Sequence, residues 1–133
     1  MRIVLDANVI VAAFAARGLC ESLFEHCLGS HEILLSKRLL DEVIRNLAKK
    51  VKLDRRTIRD IDRLLRKNGS LLEPAAVAAD ACSDTDDLHV LGLAKTGRAD
   101  YLITGDDDLL TLKRFARCRI VTPRQFWSLM QRK

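Results

Sequence analysis

The chain has 133 residues, of which 48% are hydrophobic and 31% are charged, a composition typical of one soluble globular domain. No apolar run approaches the roughly 20 residues that a membrane-spanning helix needs, and the amino terminus enters a strand-like segment without a basic leader. We therefore expect a single domain over residues 1–133, a cytoplasmic location and no membrane partner.

The cysteines and histidines show no pattern typical of a zinc site. The four cysteines form no CxxC pair and have no histidine at zinc-finger spacing, which favours buried reduced thiols. His26, His31 and His89 are scattered along the chain, and we predict that they are structural or surface residues.

The net charge of +5 is divided unevenly along the chain. Residues 37–67 contain twelve Lys/Arg and five Asp/Glu, and residues 113–133 contain seven basic residues and no acidic one. Residues 80–108 contain eight aspartates and two basic residues. A basic chain with one concentrated acidic patch suits a polyanionic substrate that is held by basic surfaces and cleaved at a metal centre. The alternative is that the basic side chains only solvate helix faces.

Short apolar runs alternate with amphipathic segments along nearly the whole chain. Strands are predicted at residues 2–5, 31–35, 70–73, 101–104 and 119–122. Helices are predicted to begin at Ser36, at Asp54 and at the Thr122-Pro123 pair, all good capping sequences. The alanine-rich run 75–81 has no predicted element. This alternation predicts an α/β fold, a three-layer α/β/α sandwich around a mainly parallel sheet of about five strands.

The stretch from Ser83 to Leu110 carries the strongest functional signal. It is predicted to form an acidic loop, a helix, a buried strand and a second acidic loop. Three aspartates precede the helix and three follow the strand: Asp84, Asp86, Asp87, Asp106, Asp107 and Asp108. Because helix amino termini and strand carboxyl ends lie on the same edge of a parallel α/β sheet, the two clusters should face each other. Like charges crowded together repel unless a cation lies among them.

Two further acidic residues are predicted to lie near the same edge. Asp6 follows the first strand, where ligands bind in open α/β sheets, and Asn8 beside it is a candidate cap for the next helix. Glu42 lies in the second turn of the helix that begins after Ser36. Taken alone, Asp6 is better explained as a cap or turn, and Glu42 as a residue favoured by the helix dipole.

Four carboxylates on one edge suggest a site for a hard cation such as Mg²⁺ or Mn²⁺. A metal held this way lowers the pKa of a bound water and stabilises charge on a phosphoryl oxygen. Hydrolysis of a phosphodiester needs those functions and no nucleophilic side chain. The sequence contains no GxSxG, no Walker loop and no GxGxxG, so serine hydrolases, P-loop enzymes and dinucleotide-binding enzymes lack support.

The order of the segments LDAN, SKRLLDEV, DTDDLHVLGLA and ADYLITGDDDLL resembles that of PIN-domain nucleases. It is especially similar to the VapC-like toxin components of bacterial toxin–antitoxin pairs, and the resemblance extends to the final TPRQFWSLM segment. Each segment is short, and the specificity lies in their combined order and spacing. The resemblance implies a PIN-like fold, Mg²⁺- or Mn²⁺-dependent hydrolysis of RNA, a cognate antitoxin protein and a homodimer.

The resemblance also implies roles for individual residues. The catalytic and metal-binding positions match Asp6, Glu42, Asp87 and Asp106. Supporting positions match Asn8, Asp84, Thr104 and Asp108. The choice among Asp84, Asp86 and Asp87 as the main ligand stays open, because one helical position is about 100° of rotation. From charge alone, Arg38, Arg45 and Lys49 are candidates for holding the RNA backbone, and a solvated helix face explains each of them as well.

Two other interpretations use the same residues. A receiver-like phosphoacceptor domain also carries aspartates and Mg²⁺ at strand ends. It needs an adjacent acidic pair after the first strand and a lysine after the last, where this sequence has LDAN and Thr122-Pro123. A non-catalytic PIN-like RNA-binding protein or scaffold does not need intact acids. Their presence at all four positions argues against it, since uncompensated carboxylates are costly to keep together without metal.

Overall fold

A computed structural model describes residues 1–132 and has a six-stranded sheet at its centre. The strands are β1 (Arg2–Leu5), β2 (Glu32–Leu35), β3 (Gly69–Leu71), β4 (Tyr101–Ile103), β5 (Arg114–Phe115) and β6 (Cys118–Val121). Their order across the sheet is β3-β2-β1-β4-β6-β5. The first five in that order pair in parallel, and β5 pairs antiparallel with β6. The predicted mainly parallel α/β architecture is confirmed, with one more strand than expected.

Residues 1–132 also form seven α-helices. They are α1 (Ala7–Ala15), α2 (Leu19–Ser30), α3 (Lys37–Asn46), α4 (Arg55–Asn68), α5 (Leu88–Thr96), α6 (Asp107–Leu110) and α7 (Pro123–Gln131). A π-helical turn at Leu47–Val51 extends α3, and a 3-10 turn at Thr85–Asp87 leads into α5. The second acidic loop predicted after β4 is wrong in part, because α6 forms a single helical turn there.

The predicted capping residues begin their helices. The Ser36 hydroxyl accepts a hydrogen bond of 3.1 Å from the Leu39 amide, and the Asp54 carboxylate accepts one of 2.7 Å from the Thr57 amide. A reciprocal capping box at Thr122 begins α7. These bonds satisfy amide groups that a helix leaves without partners in its first turn.

The core lies on both faces of the sheet. Ile3, Val4 and Leu5 of β1 are fully buried, which explains why this strand is a continuous apolar run rather than an alternating one. The chain runs outward from β1 through β2 to β3 and then returns to β4 on the other side of β1. This winding brings the carboxyl ends of β1 and β4 side by side.

No single helix among residues 1–132 has the length and apolar character needed to cross a membrane. Helices α1 and α2 meet the criteria of length and composition only when they are taken together. The two helices are bent by 109° relative to each other, and eight of their side chains belong to the buried core.

All four cysteines are free thiols. Cys27, Cys82 and Cys118 are buried as predicted, and Cys20 is partly exposed. Burial raises the pKa of Cys27 and of Cys118 to about 12, so both thiols stay protonated at neutral pH.

Candidate metal centre

Asp6 and Thr104 meet where β1 and β4 end. These strands are parallel neighbours, so the residues that follow them emerge at the same edge of the sheet. The buried Thr104 hydroxyl donates a hydrogen bond of 2.6 Å to Oδ2 of Asp6. The same hydroxyl accepts a hydrogen bond of 3.0 Å from the amide of Asp106. One threonine thus links two of the predicted metal-binding acids.

Asp6 is also the N-cap of α1, because its Oδ1 accepts a hydrogen bond of 2.8 Å from the Ala7 amide. The expected cap at Asn8 is therefore wrong. Asn8 lies in the first turn of α1, with an exposed side chain at the mouth of the cavity that Asp6 lines. Capping and ligand binding do not compete at Asp6, since a carboxylate has lone pairs for several partners.

An open cavity of about 540 Å³ lies at this edge of the sheet. Its lining consists of Asp6, Asn8, Glu42, Asp84, Asp86, Asp87, Gly105 and Asp106. The four acids predicted as principal ligands come from the end of β1, from α3, from the 3-10 turn and from the segment after β4. Asp6 and Asp106 are 100 residues apart in the sequence, and the parallel pairing of the strands brings them to the same cavity.

A tighter acidic group shares Asp84 and Asp87 with the lining of this cavity. Asp84, Asp87 and Asp108 each offer a carboxylate oxygen within 4.8 Å of the other two. Oδ2 of Asp87 is buried and has no hydrogen-bond partner among the described residues. The Asp86 carboxylate turns away, to 3.9 Å from the Arg38 guanidinium. Asp87, rather than Asp86, therefore belongs to this acidic group.

Burial and neighbouring carboxyl groups raise the pKa values of Asp6 and Asp87. Burial raises the pKa of Asp6 and the Asp106 charge adds to the effect, while hydrogen bonds from Thr104 and the Ala7 amide oppose it. Burial and then the neighbouring Asp106 carboxyl raise the pKa of Asp87 to about 8. A bound cation opposes these shifts because it favours the ionised carboxylates.

Glu42 behaves in the same way from the opposite wall of the cavity. Burial raises the pKa of Glu42, and the Asp6 charge raises it further. The charges of Arg45 and Arg38 act in the other direction. Glu42 is thus electrostatically coupled both to Asp6 and to the basic residues of its own helix.

The donor set fits a hard divalent cation. The cavity is lined by carboxylates, one side-chain amide and a glycine, with no thiol or imidazole. Oxygen donors of this kind are preferred by Mg²⁺ and Mn²⁺, whereas zinc and copper favour nitrogen and sulfur. The unpartnered buried oxygen of Asp87 is an available ligand atom. Asp84, Asp87 and Asp108 are close enough together to hold such a cation, and Asp6, Glu42 and Asp106 line the same cavity.

The sequence did not indicate that His89 lies beside this site. Its side chain is 8% exposed, and Nε2 lies 3.7 Å from Oε2 of Glu42. Burial, with a smaller effect from Arg38, lowers the pKa of His89 to about 4, so the imidazole is neutral at pH 7. Its position beside the site could have been predicted from its spacing in the sequence. His89 follows Asp86 by three residues, and helical residues three apart share a face.

The three basic residues predicted from charge are placed differently. Arg38 and Arg45 line a second cavity of about 350 Å³, which shares Glu42 and Asp86 with the acidic cavity. Lys49 lies in the π-helical turn with an exposed side chain and lines neither cavity. Only the two arginines therefore adjoin the carboxylates.

Comparisons with known proteins agree with this architecture. No curated protein matches the chain. A chain in the crystal structure of VapBC2 from Rickettsia felis bound to a DNA fragment from their promoter is similar to this one. The TM-score is 0.61 at 15% identity, with 92% of this chain and 98% of the other covered, so the two share a fold. A family model described as the PIN domain matches residues 2–108, which include all the acids of the cavity, and the chain belongs to the PIN-domain family.

Proposed function

We propose that this protein is a metal-dependent endoribonuclease that hydrolyses RNA phosphodiester bonds, and that it is the toxin of a toxin–antitoxin pair. The observation that carries the proposal is the convergence of Asp6, Glu42, Asp87 and Asp106 on one open cavity. Membership of the PIN-domain family supports nuclease chemistry. Similarity in fold to a chain of the VapBC2 complex supports the toxin role.

In this proposal Asp6, Asp87 and Asp106 hold Mg²⁺ or Mn²⁺, and Glu42 binds it directly or through water. The bound metal supplies Lewis-acid activation of water and stabilises charge on the phosphoryl oxygens. The protein supplies a fixed ligand geometry. The Thr104 hydroxyl holds the Asp6 carboxylate from one side and the Ala7 amide holds it from the other.

The supporting acids lie on the two segments that adjoin the proposed ligands, the 3-10 turn and α6. Oδ1 of Asp84 accepts a hydrogen bond of 2.9 Å from the Asp86 amide, which orders the turn that carries Asp87. Asp108 closes the acidic group from the side of α6. Asn8 lines the mouth of the cavity, where its amide is available to a phosphate or to a metal-bound water.

The RNA substrate needs cations close to this acidic cavity. Arg38 and Arg45 are seven residues apart on α3, so they flank Glu42 on one helical face. We propose that they contact phosphates next to the cleaved bond, after Arg38 leaves its distant partner Asp86. Lys49 is the next basic residue along the helix and contributes a weaker contact.

The nuclease proposal is tested by incubating a mixed RNA substrate with Mg²⁺, Mn²⁺ or EDTA. We expect cleavage with either metal, none with EDTA, and a loss of at least a hundredfold for Asp6→Asn. Asp60→Asn, which makes the same change on the exposed face of α4, is the matched control and should cleave like the wild type. EDTA-resistant cleavage by Asp6→Asn would contradict the site assignment.

A non-catalytic RNA-binding role is the second candidate, and the same experiment separates it. Such a protein would bind RNA without cleaving it under any metal condition, and Asp6→Asn would leave its affinity unchanged. The toxin role is tested separately by induced expression in a bacterial host. Growth arrest by the wild type but not by Asp6→Asn supports it, and a cognate antitoxin should bind the protein and restore growth.

A further inference from the structure

A second charged feature, away from the acidic cavity, lies between β6 and α7. It is a groove of about 420 Å³, and four cations line it: Lys113, Arg119, Arg124 and Arg132. We call this feature the basic groove. All four side chains belong to exposed residues, so they are accessible to a partner.

The positive charge of the basic groove is not neutralised within the chain. No carboxylate lines it, and none of its four cations forms an ion pair with another residue in the range 1–132. A cavity at the opposite edge of the sheet differs in this respect. There Arg2 pairs with Glu32 at 2.9 Å and Arg117 pairs with Asp100 at 3.1 Å. The basic groove is thus a concentration of cations available to an external anion.

Three donors of the basic groove are spaced along one side of α7 and its C-cap. Arg124 and Ser128 lie on α7 and Arg132 is its C-cap; at four-residue intervals they share a face and are about 6 Å apart along the axis. On the other wall, the Arg119 guanidinium lies 5.9 Å from the centre of the Tyr101 ring, a contact that orients it. A linear set of donors fits an extended polyanion better than a single small anion.

One end of the basic groove lies at the sheet edge that carries the acidic cavity. Val121, the last residue of β6, lines the groove, and its carbonyl accepts a hydrogen bond of 3.0 Å from the Thr104 amide. The Thr104 hydroxyl in turn donates to Asp6. Only one strand spacing, about 4.8 Å, therefore separates the end of β6 from the strand that leads to the metal-binding acids.

We infer that the basic groove binds the phosphate backbone of single-stranded RNA that extends beyond the cleaved bond. The identification of the bound molecule as RNA substrate rests on the proposed nuclease function, although binding to the groove requires no cleavage. The acidic cavity alone repels a polyanion, so affinity has to come from cations outside it.

The inference is tested by fluorescence polarisation of a labelled single-stranded RNA in EDTA, where metal-dependent cleavage is blocked. The groove variant is Arg124→Gln/Arg132→Gln. The matched control is Arg55→Gln/Arg63→Gln, which removes the same charge at the same eight-residue spacing from the exposed face of α4. We expect the groove variant to bind about tenfold more weakly or worse, and the control to stay within about twofold of the wild type. The slope of log Kd against log salt should fall by about 0.7 for each lost phosphate contact.

If both variants bind RNA equally more weakly than the wild type, net charge alone attracts RNA and the inference is overturned. Unchanged RNA affinity of the groove variant would also overturn it. Displacement of the RNA by polyglutamate at a lower concentration than by unlabelled RNA would assign the groove to an acidic peptide instead. Circular dichroism checks folding, and Arg119→Gln replaces the double variant if that one is unfolded. If the groove variant binds RNA more weakly but the wild type cleaves no RNA, only the nuclease proposal is contradicted. If the wild type cleaves RNA but the groove variant binds it with unchanged affinity, only the present inference is contradicted.

Discussion

The Thr104 hydroxyl donates a 2.6 Å hydrogen bond to Oδ2 of Asp6 across 98 residues of sequence. Both residues are buried, and the same hydroxyl accepts a hydrogen bond from the Asp106 amide. Thr104 therefore couples the ends of two strands and fixes the orientation of a carboxylate that the proposed metal needs. Replacing a residue that orients a metal ligand in this way typically lowers metal affinity by about 10- to 100-fold.

Replacing Thr104 by valine should weaken both the fold and the site. The variant keeps the volume but leaves Oδ2 of Asp6 and the Asp106 amide without a partner, so we expect a loss of about 1–3 kcal/mol in the free energy of unfolding. The Thr104 hydrogen bond lowers the pKa of Asp6, so its removal should raise that pKa further. Metal affinity should fall about tenfold or more. Urea denaturation and Mn²⁺ titration measure these effects, and Thr104→Ser, which keeps the hydroxyl, should lie close to the wild type.

The stability of the metal-free protein should depend on the protonation of Asp87. Its pKa rises from 3.8 to about 8 on folding, so the protonated carboxyl favours the folded state. That contribution is complete below about pH 4 and is lost as the pH rises to about 8. In EDTA, the Tm of the wild type should therefore fall across this range more steeply than that of Asp87→Asn. Parallel pH profiles for the two proteins, with Asp60→Asn as the surface control, would contradict the pKa shift.

Metal binding should stabilise the protein and displace protons. At a concentration of Mg²⁺ or Mn²⁺ 100 times its Kd, mass action adds about 2.7 kcal/mol to the free energy of unfolding. Since the pKa of Asp87 is about 8, this carboxyl is largely protonated at pH 7 and must lose its proton to bind metal. Calorimetric titrations in buffers of different ionisation enthalpy measure the number of protons released. We expect up to one proton for the wild type at pH 7 and a smaller release for Asp87→Asn.

His89 should position Glu42. Its imidazole is buried and neutral, and it lies 3.7 Å from the Glu42 carboxylate. His89→Ala should lower the free energy of unfolding by about 1–3 kcal/mol and reduce RNA cleavage about tenfold. His89→Gln, which retains a side-chain N–H donor, should recover most of the activity. If both variants lose stability but cleave RNA at the wild-type rate, His89 has only a packing role.

The larger features of the fold could be predicted from the sequence because they depend on local patterns. The continuous apolar run at residues 2–5 matches β1 in both bounds, since a strand buried on both faces needs no alternation. Ser36 and Asp54 cap their helices with their own side chains, an interaction that spans three residues. Such signals lie within a few positions of the element that they specify.

Two short elements carried no such signal. β5 has two residues, and it forms between Lys113 and Ala116, whose positive φ angles of 61° and 53° turn the chain back onto β6. α6 is a single turn in a segment that its composition marked as a loop. Elements of this length have no periodicity to detect, and pairing with distant residues stabilises them.

The sequence by itself identified the acids that lie together, because parallel strands and helix amino termini meet at one sheet edge. It could not decide between neighbouring aspartates. In the structure Asp87 turns toward Asp84 and Asp108, while Asp86 turns toward Arg38. It also could not bring His89 to Glu42, since these residues lie on α5 and α3, which are distant in sequence and come into contact only in the folded chain. Side-chain direction depends on partners distant in sequence, and those partners are brought close only by the tertiary fold.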